Sequence, residues 1–266
     1  MKINGSTAGA GPAAAVGANA VPGPAVVRRA AMAAVLACGV LTLISCGGCS
    51  LPFAGGGPPD SITILSYNVQ NLFDDVSNGN EYYEYDPSRG EWTSALFHRK
   101  LLALSEVIIQ APRGGADIVA LQEVENRNAL ETLRDHYLEG CGYRYLVITE
   151  APDSAIQQAC LSRFPISSVR THQVFSDTLP DSRPVLECTA DAEGVKLVFM
   201  INHWKSKSGG AQETEPLRMA SAKLVRRRCG EILGKDVSAD IVIAGDLNER
   251  TDEFRAAGGA YITALM

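Results

Sequence analysis

The sequence predicts an α/β domain that begins near residue 60 and contains a mixed sheet, or a pair of sheets, covered by helices. Three observations support this fold class. Runs of β-branched and apolar residues that end in polar side chains recur along the chain. Stretches with apolar residues three and four positions apart lie between some of these runs. Several neighbouring strands have no helix between them, which disfavours a doubly wound parallel sheet.

The first strand of the domain is predicted over residues 62–68, where an apolar run brings Asn68 to its carboxyl end. A loop over residues 74–92 follows, with six acidic residues, one arginine and three tyrosines. We interpret it as a solvated surface loop. A loop that overhangs a substrate site is the alternative.

Thr93 or Ser94 can cap the helix that comes next, whose apolar residues are spaced by four, three and four positions. A break at residues 112–115 separates this helix from an almost entirely apolar strand over 117–123, which ends in Gln122 and Glu123. The later elements follow from the same criteria. Helices are predicted over residues 126–139 and 213–233, and strands over 145–149, 158–162, 169–175, 185–189, 197–202 and 240–245.

Charge is unevenly distributed along the 266 residues. Only Lys2, Arg28 and Arg29 of the 24 basic residues, and none of the 30 acidic residues, precede Asp60, so the chain from that position onward carries −9. This balance argues against a basic scaffold for binding nucleic acid. It does not exclude an enzyme that uses a cation to approach a phosphate.

The segment before the domain is predicted to be an export signal. Residues 1–27 are rich in Ala, Gly and Pro without apolar periodicity, so we expect them to be disordered or to precede the true start of translation. Residues 28–46 resemble a bacterial lipoprotein signal, with two arginines, sixteen uncharged residues and a Leu-Ile-Ser-Cys ending. We expect export and attachment to the membrane through lipidated Cys46. An uncleaved membrane anchor is the alternative, but sixteen residues are fewer than the ~20 that span a bilayer.

The remaining boundaries follow from composition. Residues 47–59 are rich in Gly and Pro and predict a flexible tether, and residues 60–266 form the folded domain. Removal of Cys38 with the signal and lipidation of Cys46 would leave five cysteines, an odd number without regular spacing. We therefore expect at most two disulfides and no disulfide framework.

Four of the predicted strands stop in polar residues. Asp246 and Asn248, two positions apart, point to the same side if the extended conformation continues, and Gly245 permits a tight backbone turn before them. A carboxylate, amides and an imidazole at one end of a sheet suit a hard cation such as Mg²⁺, with Mn²⁺ or Ca²⁺ as alternatives. The polar groups are Asn68 with Gln70 and Asn71, Gln122 with Glu123, Asn202 with His203, and Asp246 with Asn248.

These motifs resemble those of the endonuclease/exonuclease/phosphatase superfamily, the relatives of DNase I. The resemblance implies a four-layered sandwich of two mixed β-sheets with helices outside, a site along one edge of the sheets, and metal-dependent cleavage of phosphoester bonds. The motifs occur in the family order over residues 61–250, as SYNVQN at 66–71, LQEV at 121–124, INH at 201–203 and AGDLNE at 244–249.

The resemblance also implies roles for individual residues. Glu123 would be the principal Mg²⁺ ligand, with Asn68 as its helper, directly or through a water. Asp246 would orient the attacking water, and Asn248 would hold the phosphate or a metal-bound water. His203 would donate a hydrogen bond to a non-bridging phosphate oxygen.

Two arginines fit the resemblance less specifically. Arg183 occupies a position where many relatives have an arginine near the scissile phosphate, and a surface role is the equal alternative. Arg218 resembles a recurrent family arginine, but we expect it to form a structural ion pair.

This sequence differs from the family pattern after Asn248. Relatives have a further Ser-Asp-His segment, whereas only eighteen residues follow Asn248 here and none is a histidine. We therefore expect the last strands to be missing and the chain to hydrolyse phosphoesters poorly or not at all.

The expected function is phosphoester hydrolysis at the cell envelope. Nucleic acid is the favoured substrate, because the extended segment NVQNLF at 68–73 resembles that of extracellular nuclease-like members. A phospholipid or inositol phosphate is the alternative within the same class. A surface binding protein that keeps the fold without the reaction is the alternative from another class.

Overall fold

The computed structural model describes residues 25–28, 59–152, 154–175, 182–256, 258–259 and 262–265. Two mixed sheets account for the strands in these ranges, and each contains one parallel pair among antiparallel ones. The first sheet has the order β1-β2-β3-β5-β4, and the second has the order β6-β7-β8-β9. The strands are β1 Ala25–Arg28, β2 Ser61–Leu72, β3 Ile118–Val124, β4 Tyr145–Ile148, β5 Gln157–Ser162, β6 Ile166–Val174, β7 Ser182–Ala192, β8 Val195–His203 and β9 Asp240–Asp246.

Helices lie on the outer faces of the two sheets. The helix α1 begins after Thr93, whose hydroxyl accepts a hydrogen bond from the Leu96 amide at 3.4 Å, as the sequence predicted. Short 3₁₀ turns occupy Tyr83–Tyr85 and Pro87–Arg89 in the loop before it. The helices are α1 Ser94–Ile109, α2 Arg127–Thr132, α3 Glu215–Leu233 and α4 Glu253–Ala256.

Three apolar clusters separate four layers. One cluster lies between the first sheet and α1 and α2, and includes Phe97, Leu101 and Leu121. A second lies between the sheets, and a third lies between the second sheet and α3. Burial of apolar area in all three interfaces stabilises the stack. The fold class predicted from the sequence is therefore confirmed.

The second predicted helix, over residues 126–139, has an irregular end. Helix α2 stops at Thr132, and a π-helical turn over Leu133–Tyr137 follows, closed by a 3.0 Å bond from the Leu138 amide to the Leu133 carbonyl. Leu133 and Leu138 are both buried against the first sheet, and this burial stabilises the π-helical turn between them. The sequence pattern predicted the helical region but not the change of type.

The acidic loop over residues 74–92 packs more closely than expected. Asp74 is buried, and its backbone amide donates to Glu125 Oε2 at 2.7 Å. Phe73 stacks on Tyr85 with ring centroids 4.8 Å apart, and Tyr85 meets the edge of Trp92 at 5.0 Å. The prediction of a solvated loop is therefore wrong for its two ends, which belong to the core.

The expectation that nothing before residue 60 joins the fold is wrong for four residues. Strand β1, Ala25–Arg28, pairs antiparallel with β2, whose edge would otherwise present unpaired backbone groups. Apart from β1 and Pro59, the predicted disordered segment, signal and tether, with Cys46, lie outside the described residues. Those segments are 1–27, 28–46 and 47–59.

Two further observations concern the described part of the chain. No helix within it is both long and apolar enough to cross a membrane. Its four cysteines are free thiols, with Cys160 and Cys188 buried between the sheets and Cys141 and Cys229 partly exposed.

Candidate functional site

The candidate site lies where the parallel pairs of the two sheets meet. Strands β2 and β3 run parallel in the first sheet, β8 and β9 run parallel in the second, and β9 contacts both β2 and β3. The carboxyl ends of all four strands therefore lie together. This placement brings the polar residues that end the strands to one edge of the sandwich, as the sequence predicted.

Asn68 joins the two sheets at this edge. Its Nδ2 donates to Glu123 Oε1 at 2.8 Å in the first sheet and to Asp246 Oδ2 at 3.0 Å in the second. Its Oδ1 accepts a hydrogen bond from the Gln70 backbone amide at 2.9 Å. The amide nitrogen of Asn68 thus faces the site, and its oxygen faces away.

Unusual backbone conformations cluster around the site. Gln70, Asn71, Glu123 and Asn248 have φ of 55°, 63°, 67° and 49°, four of the seven non-glycine residues with positive φ in the described ranges. Such conformations cost on the order of 1 to 3 kcal/mol each and persist where surrounding contacts determine them. The pairing of β2 with β3 shifts register between Asn68 and Leu72, so Gln70 and Asn71 lie in a bulge of β2. A bulge turns side chains away from the regular strand pairing.

His203 lies beside Glu123 and Arg183. Its Nε2 is 3.4 Å from Glu123 Oε1 and 3.1 Å from Arg183 NH1. Because a guanidinium only donates, the contact with Arg183 requires Nε2 to accept and assigns the ring proton to Nδ1. That nitrogen is buried and has no hydrogen-bond partner among the described residues. Burial, with the Arg183 charge beside it, lowers the pKa of His203 to about 3, so the ring is neutral.

Arg183 belongs to the site and not to the distant surface. Its NH1 also donates to the Trp204 carbonyl at 3.2 Å, which fixes the guanidinium beside the end of β8. The contacts with His203 and the Trp204 carbonyl both use one nitrogen of the guanidinium, and its other N–H groups take no part in them. The structure places Arg183 beside His203 and the Trp204 carbonyl, and its contact with a phosphate stays a prediction.

Asn248 reaches the site through a turn. Strand β9 ends at Asp246, and the Asn248 amide donates to Asp246 Oδ1 at 2.9 Å. Asn248 Nδ2 donates to the Trp204 carbonyl at 3.0 Å. The condition under which Asp246 and Asn248 would point to the same side is not met, because β9 ends at Asp246 and Asn248 has a positive φ.

A buried ion network supports the segment after β8. Arg218 of α3 is fully buried and donates to Glu215 Oε2 at 2.7 Å, to Thr214 Oγ1 at 2.7 Å and to Glu249. It also donates to the Lys205 carbonyl at 3.2 Å. The structural ion pair expected for this arginine is present, and it holds both the segment after His203 and the residue after Asn248.

Lys100 is the site residue that the sequence analysis missed. It projects from α1, and its ammonium donates to the Gln70 carbonyl. Burial lowers the pKa of Lys100 to about 8, and the nearby charge of Glu123 opposes that shift. Its position in α1 could have identified it, since it lies three residues after Phe97 and four before Leu104 on the apolar face. A lysine on such a face extends its aliphatic stem along the core so that its ammonium reaches a polar partner.

The carboxylate oxygens at the site suit a hard cation that is held weakly. Glu123 and Asp246 both accept from the same Asn68 nitrogen, so carboxylate oxygens from the two sheets converge on one point. In the described ranges, no group of three or more His, Cys, Asp or Glu side chains is arranged to hold a metal. A cation here would therefore rely on one or two carboxylates and on waters, which is a coordination that Mg²⁺ accepts.

Comparisons with known proteins agree with this geometry. The model of the endonuclease/exonuclease/phosphatase family matches residues 63–257. Similar solved structures include TDP2 from Caenorhabditis elegans, at 19% identity and a TM-score of 0.50, which covers 74% of this chain and 54% of that one. Another is a β-hairpin deletion mutant of beta toxin from Staphylococcus aureus, at 18% identity and a TM-score of 0.50, covering 76% and 71%.

These likenesses are limited to the fold. The chain spans about half of the C. elegans structure that it matches, and the identities are low. No curated protein matches the chain in sequence.

Proposed function

Because this chain belongs to the endonuclease/exonuclease/phosphatase family, we propose that it is a metal-dependent phosphodiesterase that acts on nucleic acid. Family membership supports phosphoester chemistry in general. One observation carries the proposal to this chain's own residues, namely that Asn68 links Glu123 and Asp246 across the two sheets beside His203 and Arg183.

In this proposal Glu123 holds the cation, and Asn68 holds Glu123 in place. A bound Mg²⁺ would neutralise charge on a non-bridging phosphate oxygen and polarise the phosphorus for attack. The Asn68 oxygen faces Gln70 and not the carboxylates, so its role toward the cation is indirect. This arrangement favours the second of the two roles that the resemblance implied, in which Asn68 acts without direct ligation.

Asp246 orients the attacking water and takes its proton. Hydrogen bonds from Asn68 and from the Asn248 amide fix both of its oxygens, which leaves lone pairs directed toward the site. Asn248 is in turn held by the Trp204 carbonyl, so its contribution here is to position Asp246.

Arg183 supplies the donors that face the phosphate. His203 Nε2 accepts from Arg183, so the neutral imidazole orients the guanidinium. Its N–H groups beyond those that bond His203 and Trp204 stabilise charge as the transition state forms. The resemblance implied that His203 donates a hydrogen bond to the phosphate. In this proposal Arg183 donates that bond instead.

The substrate assignment rests on the first motif and the site's chemistry. The NVQNLF segment at 68–73 resembles that of extracellular nuclease-like members. Arg183 and Lys100 at the site partly compensate the negative charge of the neighbouring carboxylates. Purified protein is incubated with plasmid DNA, sphingomyelin and inositol phosphates, each with Mg²⁺ and with chelator. Metal-dependent cleavage of DNA, including the slow cleavage that the sequence leads us to expect, supports the proposal. Cleavage of only a lipid or inositol phosphate, or of nothing, contradicts it.

We further propose an envelope location through lipidated Cys46. The support is the sequence of residues 28–46, with two arginines followed by a short apolar run. Processing before Cys46 would also remove β1, so β2 would become the edge strand of the first sheet in the anchored form. Cys46→Ser should release the protein from the membrane fraction or stall its processing, because the apolar run is too short to hold it firmly. Normal processing and unchanged fractionation of that variant would reject the proposal, and Cys49→Ser is the matched control.

A further inference from the structure

A chain of hydrogen bonds leads from helix α1 into the candidate site. The Lys100 ammonium donates to the Gln70 carbonyl, and the Gln70 amide donates to Asn68 Oδ1 at 2.9 Å. Asn68 Nδ2 then donates to Glu123 and Asp246. Lys100 lies outside every motif that the family resemblance identified, yet it is connected to both carboxylates through two residues.

The Gln70 amide decides which end of the Asn68 side chain faces the site. With Oδ1 held by that amide, Nδ2 is directed between two carboxylates, which need donors. The reversed side chain would place its oxygen against the oxygens of Glu123 and Asp246 and lose the bond from Gln70. The orientation of Asn68 therefore depends on the backbone position of Gln70.

Gln70 does not hold that position through its own preference. Both Gln70 and Asn71 are in the left-handed region, with φ of 55° and 63°, where non-glycine residues are strained. The bulge interrupts the ladder with β3 between Asn68 and Leu72, so strand pairing does not fix it either. Two side chains contact this backbone, since Asn68 Oδ1 accepts from the Gln70 amide and the charged Lys100 donates to the Gln70 carbonyl. The bond from Lys100 is charge-assisted, and such bonds are the stronger kind.

We propose that Lys100 is a positioning residue, which holds the Gln70 backbone so that Asn68 presents its amide nitrogen to Glu123 and Asp246. The kinetic consequence rests on the proposed function, but the structural consequence does not. Lys100 acts on the site through Asn68 and does not contact the substrate.

The test compares Lys100→Met, which keeps the aliphatic stem and removes the donor, with Arg99→Met. Arg99 is its exposed neighbour on α1, so the control removes one positive charge from the same helix. The first readout is the NMR signal of the Asn68 side-chain amide, identified by its loss in Asn68→Ala. We expect this signal to shift in Lys100→Met, to return toward its original position in Lys100→Arg, and to stay unchanged in Arg99→Met.

The second readout is hydrolysis of plasmid DNA or of a phosphodiester reporter with Mg²⁺. We expect kcat of Lys100→Met to fall about tenfold with KM changed less than about twofold, because misplacement of a positioned group reduces turnover. In an Asn68→Ala background, Lys100→Met should have no further effect, since both substitutions remove the same contact.

Three results would overturn the proposal. An unchanged Asn68 signal in Lys100→Met would show that the hydrogen-bond chain does not control the side chain. A raised KM with additive losses in the double variant would show direct contact between Lys100 and the substrate. Equal losses in Arg99→Met would show a general charge effect. If the parent protein cleaves no phosphoester, the proposed function fails, and the NMR comparison alone still decides the role of Lys100.

Discussion

The backbone of Gly245 lies so close to the backbone of Asn202 that the Cβ of any other residue would overlap the Asn202 carbonyl oxygen. Gly245 also has a φ of +124°, a conformation that side chains disfavour. Both strands continue directly into site residues, since Asn202 precedes His203 and Gly245 precedes Asp246. Close approach of β8 and β9 at this point thus sets the spacing between the imidazole and the carboxylate.

Gly245→Ala should therefore destabilise the protein by several kcal/mol and abolish activity, because strand β9 must move away from β8. Urea unfolding measures the first effect. Gly230→Ala in α3 is the matched control, since an alanine Cβ at that position would meet no neighbouring atom within 4 Å outside its own helix backbone, and helical alanine is favoured. Stability of Gly245→Ala equal to that of the parent would contradict the close approach.

Stability should depend on pH through Glu187 of β7. Burial opposes its ionisation, but hydrogen bonds from Arg228, His172 and Arg170 outweigh burial and lower the pKa to about 2. The folded-state pKa is below the unfolded value of about 4.3, so the contribution is complete above pH 5 and is lost as pH falls toward 2.

The Glu187→Gln variant tests this contribution. We expect it to lose on the order of 3 kcal/mol of unfolding free energy at pH 7, with a smaller deficit relative to the parent at pH 3. Glu139→Gln, at an exposed position, is the control. Parallel stability profiles for Glu187→Gln and the parent between pH 7 and pH 3 would argue against the shifted pKa.

Replacement of Arg218 should be costly. Arg218→Leu leaves the buried carboxylates of Glu215 and Glu249 without their cation, which typically costs about 3 to 5 kcal/mol. Thermal or urea unfolding measures the loss, with Arg226→Leu at an exposed position of the same helix as control. A small loss, similar to that of the control, would mean that the network does not support the fold.

Binding of Mg²⁺ should depend on Glu123. A site of one or two carboxylates and waters holds this ion weakly, and Glu123→Gln should reduce its affinity at least about tenfold. Calorimetric titration compares the variant with the parent and with Glu139→Gln. Equal affinities for Glu123→Gln and the parent would remove Glu123 from the cation site.

The meeting of polar side chains at one edge could be predicted from the sequence because strand ends carry their own signal, whereas the four-layered arrangement was implied by the family resemblance. The change from apolar residues to Asn68, Glu123, His203 and Asp246 marked four carboxyl ends, and parallel pairing brought them together. Strand lengths were less predictable. Strand β7 extends over Ser182–Ala192, beyond the predicted 185–189, because its partners in both neighbouring strands continue the ladder.

Other features depend on tertiary contacts that have no local pattern. Lys100 lies within an ordinary amphipathic helix, and its partner is a backbone carbonyl thirty positions earlier in a bulge. The side-chain direction of Asn68 depends on that bulge, and the turn at Asn248 depends on the Trp204 carbonyl. A motif identifies which residue is present, whereas these contacts determine which of its atoms faces the site.

The contact of one Asn68 nitrogen with a carboxylate from each sheet makes the geometry of the site sensitive to how the two sheets slide past each other. A substitution in the core between the sheets, at Ala120 or Cys188 for example, shifts Glu123 relative to Asp246 without touching either residue. Modest heating or pressure acts on the same interface. If the proposed activity is present, we expect catalytic rate to be an early reporter of loosened packing, which declines while the circular dichroism of both sheets is still native.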